Sequence, residues 1–515
     1  MTIETPDWVR DAVFYLVFPD RFASSERVAK PGPLEPWDAP PTTHGFKGGD
    51  LRGIVERLDY LQDLGVTALY LTPVFASASN HRYHTYDYLS VDPMLGGDDA
   101  LRELLDAAHG RDMHVILDGV FNHTGRGFWP FHHVTENGAA SPYRRWFHLD
   151  EEALDAGRPI LAYPGAHLRD GSGDDARWMG EGRPTHDGAI SRRRLGYAAW
   201  WDLPALPKLN TDEPAVREFL LGVAEHWLRF GIDGWRLDVP TEIRDEAFWH
   251  EFRRRCRRIR PDAYLVGEIW DVAPEWLAGD RFDALMNYPL GEAILSFAGG
   301  SSLDRSVVDS HHEYANRIDR VDGAGFARRL DELMTAYDPA ITAVQLNLIG
   351  SHDAPRARTV MGGDLAAMHL AFLLLGTLPG APCIYYGDEI GMEGGIDPDC
   401  RGAFPWDESR WDVRHRERTR AVLRLRAAEP ALRRGSFRVL GHAEGAVAYE
   451  RVLHEDRLIV IVNAGDHPAT VHVALDGAAT LMPVEIDGGV PPRVVGDGPV
   501  AVTVAPRTGH ILRPR

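Results

Sequence analysis

A chain of 515 residues exceeds one ordinary domain, yet one α/β barrel with an insertion and an appendage would use it up. With 44% hydrophobic and 26% charged residues there is apolar mass for a large core, and a formal net charge of −20 speaks against nucleic acid or anionic membranes, which call for basic patches. Three cysteines without paired spacing, Cys256, Cys383 and Cys400, exclude a disulfide scaffold and weigh against a zinc site.

The N-terminus has neither a basic leader nor an apolar core segment, and no run reaches membrane-spanning length, so a cytoplasmic protein is expected. Short apolar, β-branched or aromatic runs alternate with amphipathic stretches, the mark of repeated βα units. In chain order the runs are 12–18, 68–72, 114–118, 234–238, 263–267, 284–287, 343–349 and 382–386. Between them, Leu51, Ile54, Leu58 and Leu61 recur at helical spacing over 51–64, as do Val216, Phe219, Leu220, Val223 and Trp227 over 214–230. Eight strands with interleaved helices predict an α/β fold, a (β/α)8 TIM barrel formed by residues 1–123 and 206–434.

Two stretches break the rhythm. Residues 124–205 hold no clean βα unit but carry Trp129, Phe131, Trp146, Trp178, Trp200 and Trp201 and a turn-rich run at 170–175. So long an excursion after strand 3 predicts an inserted subdomain over the barrel mouth. From 435 to 515 the chain alternates strands (446–452, 458–462, 470–475, 500–504) with Gly and Pro turns, which predicts a C-terminal antiparallel β-sandwich.

Three of the barrel runs end in a carboxylate: Asp238, Glu268 and, after Ser351-His352, Asp353. An unpaired carboxylate at the tip of a buried strand is costly to desolvate, so three of them suggest chemistry at the C-terminal mouth. Two neighbouring carboxylates in different environments are the minimum apparatus for cutting a glycosidic bond with retention; they stand about 5–5.5 Å apart. Arg236 lies two residues before Asp238, hence on the same face, where it should lower the carboxyl pKa and keep a nucleophile ionised. Glu268, flanked by Val266, Ile269 and Trp270, should have its pKa raised and serve as the acid/base. His123 and His352 offer neutral nitrogens to sugar hydroxyls, and Trp270 a wall on the leaving-group side.

The blocks Asp118-Gly-Val-Phe-Asn-His123, Gly234-Trp-Arg-Leu-Asp238, Gly267-Glu268 and Ser351-His-Asp353 resemble, in order, those of the α-amylase clan, glycoside hydrolase family 13. The resemblance covers essentially the whole chain. Leu206-Pro-Lys-Leu-Asn210 and the ending Pro382-Cys-Ile-Tyr-Tyr-Gly-Asp-Glu389 with Asp397-Pro-Asp-Cys-Arg401 look like the neopullulanase, cyclomaltodextrinase and maltogenic amylase branch. The resemblance implies that Asp353 stabilises the transition state, that Tyr83 stacks under the reacting sugar, and that Asp397 and Arg401 contact the next glucose. Asp118 would support the site from behind by orienting Arg236 or Tyr83.

The resemblance further implies a retaining hydrolase of short or cyclic malto-oligosaccharides, cutting α-1,4 bonds and, as an option, α-1,6 bonds. The alternative is a transglycosylase or isomerase at the same site. A non-catalytic descendant fits poorly, because Asp238, Glu268, Asp353 and Arg236 are all present. No cofactor is expected. Calcium is not expected either, since 22–30 lacks the Asn/Asp cluster that holds it in some relatives. The first strand begins near residue 12, so the N-terminal β-domain of such relatives is expected to be missing, and a homodimer stays open. His84 stands where the branch carries Asp, and Val239-Pro-Thr-Glu242 departs from the usual block, which leaves linkage preference open.

Overall fold

The computed structural model describes residues 3–164, 185–473, 479–484, 494–496 and 500–514. The expected run at 170–175, Trp178 and the end of the strand at 470–475 lie outside them. Ten strands precede the C-terminal region: β1 (Phe14–Val17), β2 (Ala68–Leu71), β3 (Phe75–Ser77), β4 (Thr85–Val91), β5 (His114–Gly119), β6 (Gly234–Leu237), β7 (Tyr264–Gly267), β8 (Ala284–Leu285), β9 (Leu346–Leu348) and β10 (Ala381–Tyr385). Eight of them form one parallel sheet in the order β8-β7-β6-β5-β2-β1-β10-β9. A parallel bridge between Met286 and Leu346, with the Asn287 N–H donating to the Leu346 carbonyl at 2.8 Å, joins the two ends into a barrel. All eight expected strands are present.

The strands are shorter than the apolar runs that announce them. In 343–349, Ala343 still closes the short helix Pro339–Thr342, and only Leu346–Leu348 pair. The helical pattern over 51–64 divides into Leu51–Val55 and Leu58–Leu64, yet Leu51, Ile54, Leu58 and Leu61 all stay buried, so the period reports the buried face through the kink. Helix Pro214–Phe230 runs as expected, with Pro214 in its first turn and Gly231 at its end.

The hairpin β3–β4 has no counterpart in the sequence reading. In β4 the buried residues are Thr85, Tyr88 and Val91, every third position, because the pairing with β3 is broken by register shifts. That hides the period of two by which strands are recognised.

The insertion is built from helices Trp129–Asn137, Glu151–Asp155 and Ala189–Leu195, tied by isolated bridges such as Phe147–Leu209 and Leu149–Tyr197. Its aromatics divide in use. Phe131 lies between Phe147 and Tyr197, and Trp146 packs on Phe219 of the barrel helix, so both are core. Trp129 is 61% exposed. Among the described aromatics expected to wall the mouth, Trp200 and Trp201 turn to the barrel. Trp200 stacks on His123 and Trp201 meets His312.

After helices Val413–Ala428 and Pro430–Arg434 come β11 (Ser436–Ala443), β12 (Ala446–Leu453), β13 (Asp456–Asn463), β14 (Ala469–Val473), β15 (Ala479–Val484), β16 (Val494–Gly496), β17 (Val500–Val504) and β18 (Thr508–Pro514). An antiparallel six-stranded sheet, β11-β12-β13-β18-β15-β16, faces the pair β14–β17. Ile459, Ile461 and Leu512 from the large sheet meet Val471, Val502 and Val504 from the small one in a core of their own.

Candidate active site

Register assembles the centre of the site. Asp118 on β5 lies opposite Arg236 on β6, so two neighbouring strands aim a carboxylate and a guanidinium at the same point. Arg236 is fully buried. Its Nη1 donates to Asp118 Oδ1 and Oδ2 at 2.9 and 3.0 Å and to Asp238 Oδ1 at 3.0 Å. Its Nη2 lies 2.9 Å from Glu268 Oε2, within ion-pair distance but off the line of a hydrogen bond. One cation therefore serves three carboxylates.

Arg236 lowers the Asp238 pKa as expected, but burial outweighs it and corrects the expectation of a low value. Burial drives the Asp238 carboxyl well above its ordinary value. Arg236 pulls it down, while Glu268 and Asp118 push it up again. Glu268 rises to about 7, as expected, first through burial, with Arg236 opposing. Asp118 is raised by burial against Arg236 and the hydroxyl of Tyr83. At Asp353 burial is outweighed by His352, Arg401 and Arg236, and its pKa falls. These groups titrate as a set, and a proton on one lowers the affinity of the others for a second.

Asp238 Oδ1 is held by Arg236, whereas its Oδ2 is buried without a hydrogen-bond partner among the described residues. Glu268 accepts from the Val239 N–H at 3.1 Å and from Trp270 Nε1 at 3.3 Å. The first of these bonds needs an unusual backbone. Val239 has φ 36° and ψ 53°, a left-handed conformation that a β-branched residue seldom adopts.

Around this centre the expected residues gather. Tyr83 donates its hydroxyl to Asp118 Oδ2 at 2.7 Å and stacks on His352 with ring centroids 5.4 Å apart. Since the Tyr83 proton goes to Asp118, the His352 Nε2, 2.6 Å from that hydroxyl, is assigned the N–H and donates to it. The same nitrogen lies 3.1 Å from Asp353 Oδ2, so His352 orients two neighbours. Burial pushes His352 and His123 down to about 3, leaving both neutral. His123 keeps a buried, unpartnered Nε2 beside Trp200.

Trp270 has one face taken by Tyr288, stacked at 3.5 Å, while its indole N–H reaches Glu268, so it braces the acid as well as forming a wall. Arg401 donates to the His352 carbonyl at 2.8 Å and reaches Asp353 at 3.5 Å and Asp397 at 3.0 Å. Asp397 remains at the rim, its side chain 44% exposed. Apart from His123, whose ring rests on Trp200, the expected site residues belong to one connected set.

Other members were not legible. Tyr70 donates to Asp118 at 2.9 Å, and His311 Nε2 bonds the Asp353 carbonyl at 2.9 Å. Tyr70 alternates with buried apolar neighbours on β2 and could have been singled out as a polar group inside the barrel. The Val239 amide has no signal in residue type at all. Among the described residues, no three His, Cys, Asp or Glu side chains are grouped to hold a metal ion.

A closed parallel barrel with paired carboxylates at its C-terminal mouth carries the apparatus a glycoside hydrolase needs. The family described as alpha amylase, catalytic domain, matches residues 16–423, and the chain belongs to it. Within that family it is of the cyclomaltodextrinase and neopullulanase type. A cyclomaltodextrinase of Geobacillus thermopakistaniensis is 39% identical over 477 residues, covering 92% of this chain and 72% of the relative. The crystal structure of a debranching enzyme from Nostoc punctiforme superposes with a TM-score of 0.83 at 43% identity, covering all of both chains. The cyclic α-maltosyl-(1→6)-maltose hydrolase of Arthrobacter globiformis, solved in complex with that cyclic sugar, gives 0.81 at 34% identity over 99% of this chain and 100% of the other. Among the described residues no helix is long and apolar enough to cross a membrane.

Proposed function

We propose that the protein is an intracellular hydrolase of short and cyclic malto-oligosaccharides that acts by double displacement with retention. The observation that carries this proposal is the asymmetry of Asp238, whose Oδ1 is fixed by Arg236 while Oδ2 has no partner among the described residues and keeps its lone pairs for attack. With a pKa of about 7, Glu268 carries a proton near neutrality. That proton removes one negative charge from beside Asp238 and leaves Arg236 to two carboxylates, which favours the ionised nucleophile.

In the first step Glu268 gives its proton to the glycosidic oxygen as Asp238 Oδ2 bonds to the anomeric carbon and the leaving sugar departs. In the second, ionised Glu268 takes a proton from water, which displaces Asp238 and restores both groups. Asp353, with its lowered pKa, stays anionic beside the developing oxocarbenium ion. Tyr83, His123, His352, Trp270, Asp397 and Arg401 hold the sugars. Cyclomaltodextrinases among the relatives, and the Arthrobacter enzyme with its cyclic ligand, support the substrate class.

Side-by-side kinetics on a cyclodextrin, maltotriose and soluble starch test this. We expect kcat/KM to favour the two small substrates clearly over starch. Starch cleaved as efficiently as either would refute the substrate assignment.

A further inference from the structure

Two consecutive non-glycine residues of the insertion, Trp201 and Asp202, both have φ +53°. Such a pair persists only where its surroundings over-determine it. Here the anchor is the fully buried Asp202 carboxylate, which accepts from the Thr185 N–H, the Thr185 hydroxyl and the Ser191 N–H at 2.6, 2.7 and 2.7 Å. With Asp202 tied into the insertion, the turn pushes its two tryptophans outward. Trp200 lies flat on His123, rings 5.1 Å apart and 10° from parallel. Trp201, half-buried, projects further.

The contacts of Trp201 define what it covers. On one side it packs on His186 at 4.4 Å, and His186 pairs at 3.7 Å with Glu242, four residues beyond Asp238 in the loop after β6. On the other it meets His312 at 5.7 Å, next to the His311 that holds the Asp353 carbonyl, in the segment between β8 and β9. His311 in turn packs on Trp270 at 5.8 Å, and the Trp270 indole N–H reaches Glu268, so the His312 support adjoins the loop after β7 that carries the acid. Glu268 protonates the leaving oxygen, so the departing sugar lies on this side.

We propose that Trp201 is a specificity-determining residue, a roof across the leaving-group side of the cleft that limits the departing chain to a compact one. This rests on the hydrolase assignment above and adds to it the device that would exclude long polymers. An aromatic side chain held there offers stacking area to one or two glucose units and narrows the way for a longer chain.

The experiment compares kcat/KM on soluble starch and on a cyclodextrin for the full-length wild type, Trp201→Gly, Trp201→Phe and His312→Ala, each checked for folding by circular dichroism. Glycine suits the left-handed backbone and removes the roof. The starch-to-cyclodextrin ratio should rise about tenfold in Trp201→Gly, the scale on which apolar pockets discriminate. It should stay near wild type in Trp201→Phe and rise in His312→Ala, a surface change that removes one support and guards against a misfolded glycine variant. An unchanged ratio in both Trp201→Gly and His312→Ala would overturn the proposal. A wild type that prefers starch would instead refute the substrate assignment, and that is read before any variant is made.

Discussion

Arg236 is the residue on which the site's electrostatics turn, because one buried guanidinium faces Asp118, Asp238 and Glu268. The consequence is a proton that must sit somewhere among three carboxyls, and Glu268, near 7, is where it is useful. The sign of the pH dependence follows. Glu268 must be protonated and Asp238 ionised to start the reaction, so the active form is lost as pH rises through about 7 and, on the acid side, as Asp238 with its raised pKa takes up a proton. A kcat/KM profile should therefore fall on its alkaline side from near neutrality. With an activated aryl glycoside that needs no acid, Glu268→Gln should lose that limb and be rescued by azide; a limb that survives would belong to another group. Asp238→Asn keeps the shape of the nucleophile without its charge and should cost at least ~10⁴-fold in kcat. Near-wild-type turnover in that variant would remove Asp238 from the mechanism. The nucleophile and its arginine were legible because a period of two places Arg236 and Asp238 on one face. The raised pKa of Asp238 was not, since it depends first on how deeply the fold buries the carboxyl and then on how many other carboxylates surround it.

Elements explain which parts of this site a sequence reveals. Strand tips carry Asp238, Glu268 and Asp353 to the same end of the barrel, and parallel strands can be read from apolar runs alone. The hairpin β3–β4, which brings Tyr83 in, was hidden by register shifts that destroy its alternation. Likewise Val239 acts through its backbone, and its left-handed turn, a strain of ~1–3 kcal/mol, leaves no mark on residue choice. The seam between barrel and C-terminal sheet shows the same limit. Among the described residues Arg426 has no carboxylate partner; fully buried, it donates to the carbonyls of Gly376, Leu378, Gly380 and Leu432, closing the ends of two helices and the start of β10. Burial pushes its pKa down to about 9, so it remains charged at neutrality. Arg426→Met would leave those acceptors short of a donor, and we expect a loss of ~3 kcal/mol, seen as a lower urea midpoint. Because Arg426 is absent from every contact of the site, turnover per folded molecule should be kept. An unchanged midpoint would show that the carbonyls find other donors.

At the scale of the whole molecule, three bodies of structure divide the work. The barrel fixes the carboxylates. The insertion lays Trp200 and Trp201 over the mouth, and the C-terminal sheet is joined to the barrel at buried arginines, with Arg451 donating to the Thr377 carbonyl at 2.6 Å. Of this division the sequence revealed the order of the parts and the presence of aromatics in the insertion. Which aromatics face the site was not legible, since Phe131 and Trp146 are aromatic like Trp200 but are spent on packing within the insertion and against the barrel helix. The central claim is that Asp238 forms a covalent glycosyl intermediate that water later opens from the face the leaving sugar vacated. Proton NMR recorded in the first minutes of maltotriose hydrolysis, before mutarotation, tests it most directly. Retention predicts that the new reducing end appears first as the α-anomer; an initial β-anomer would show single displacement by water and contradict the account.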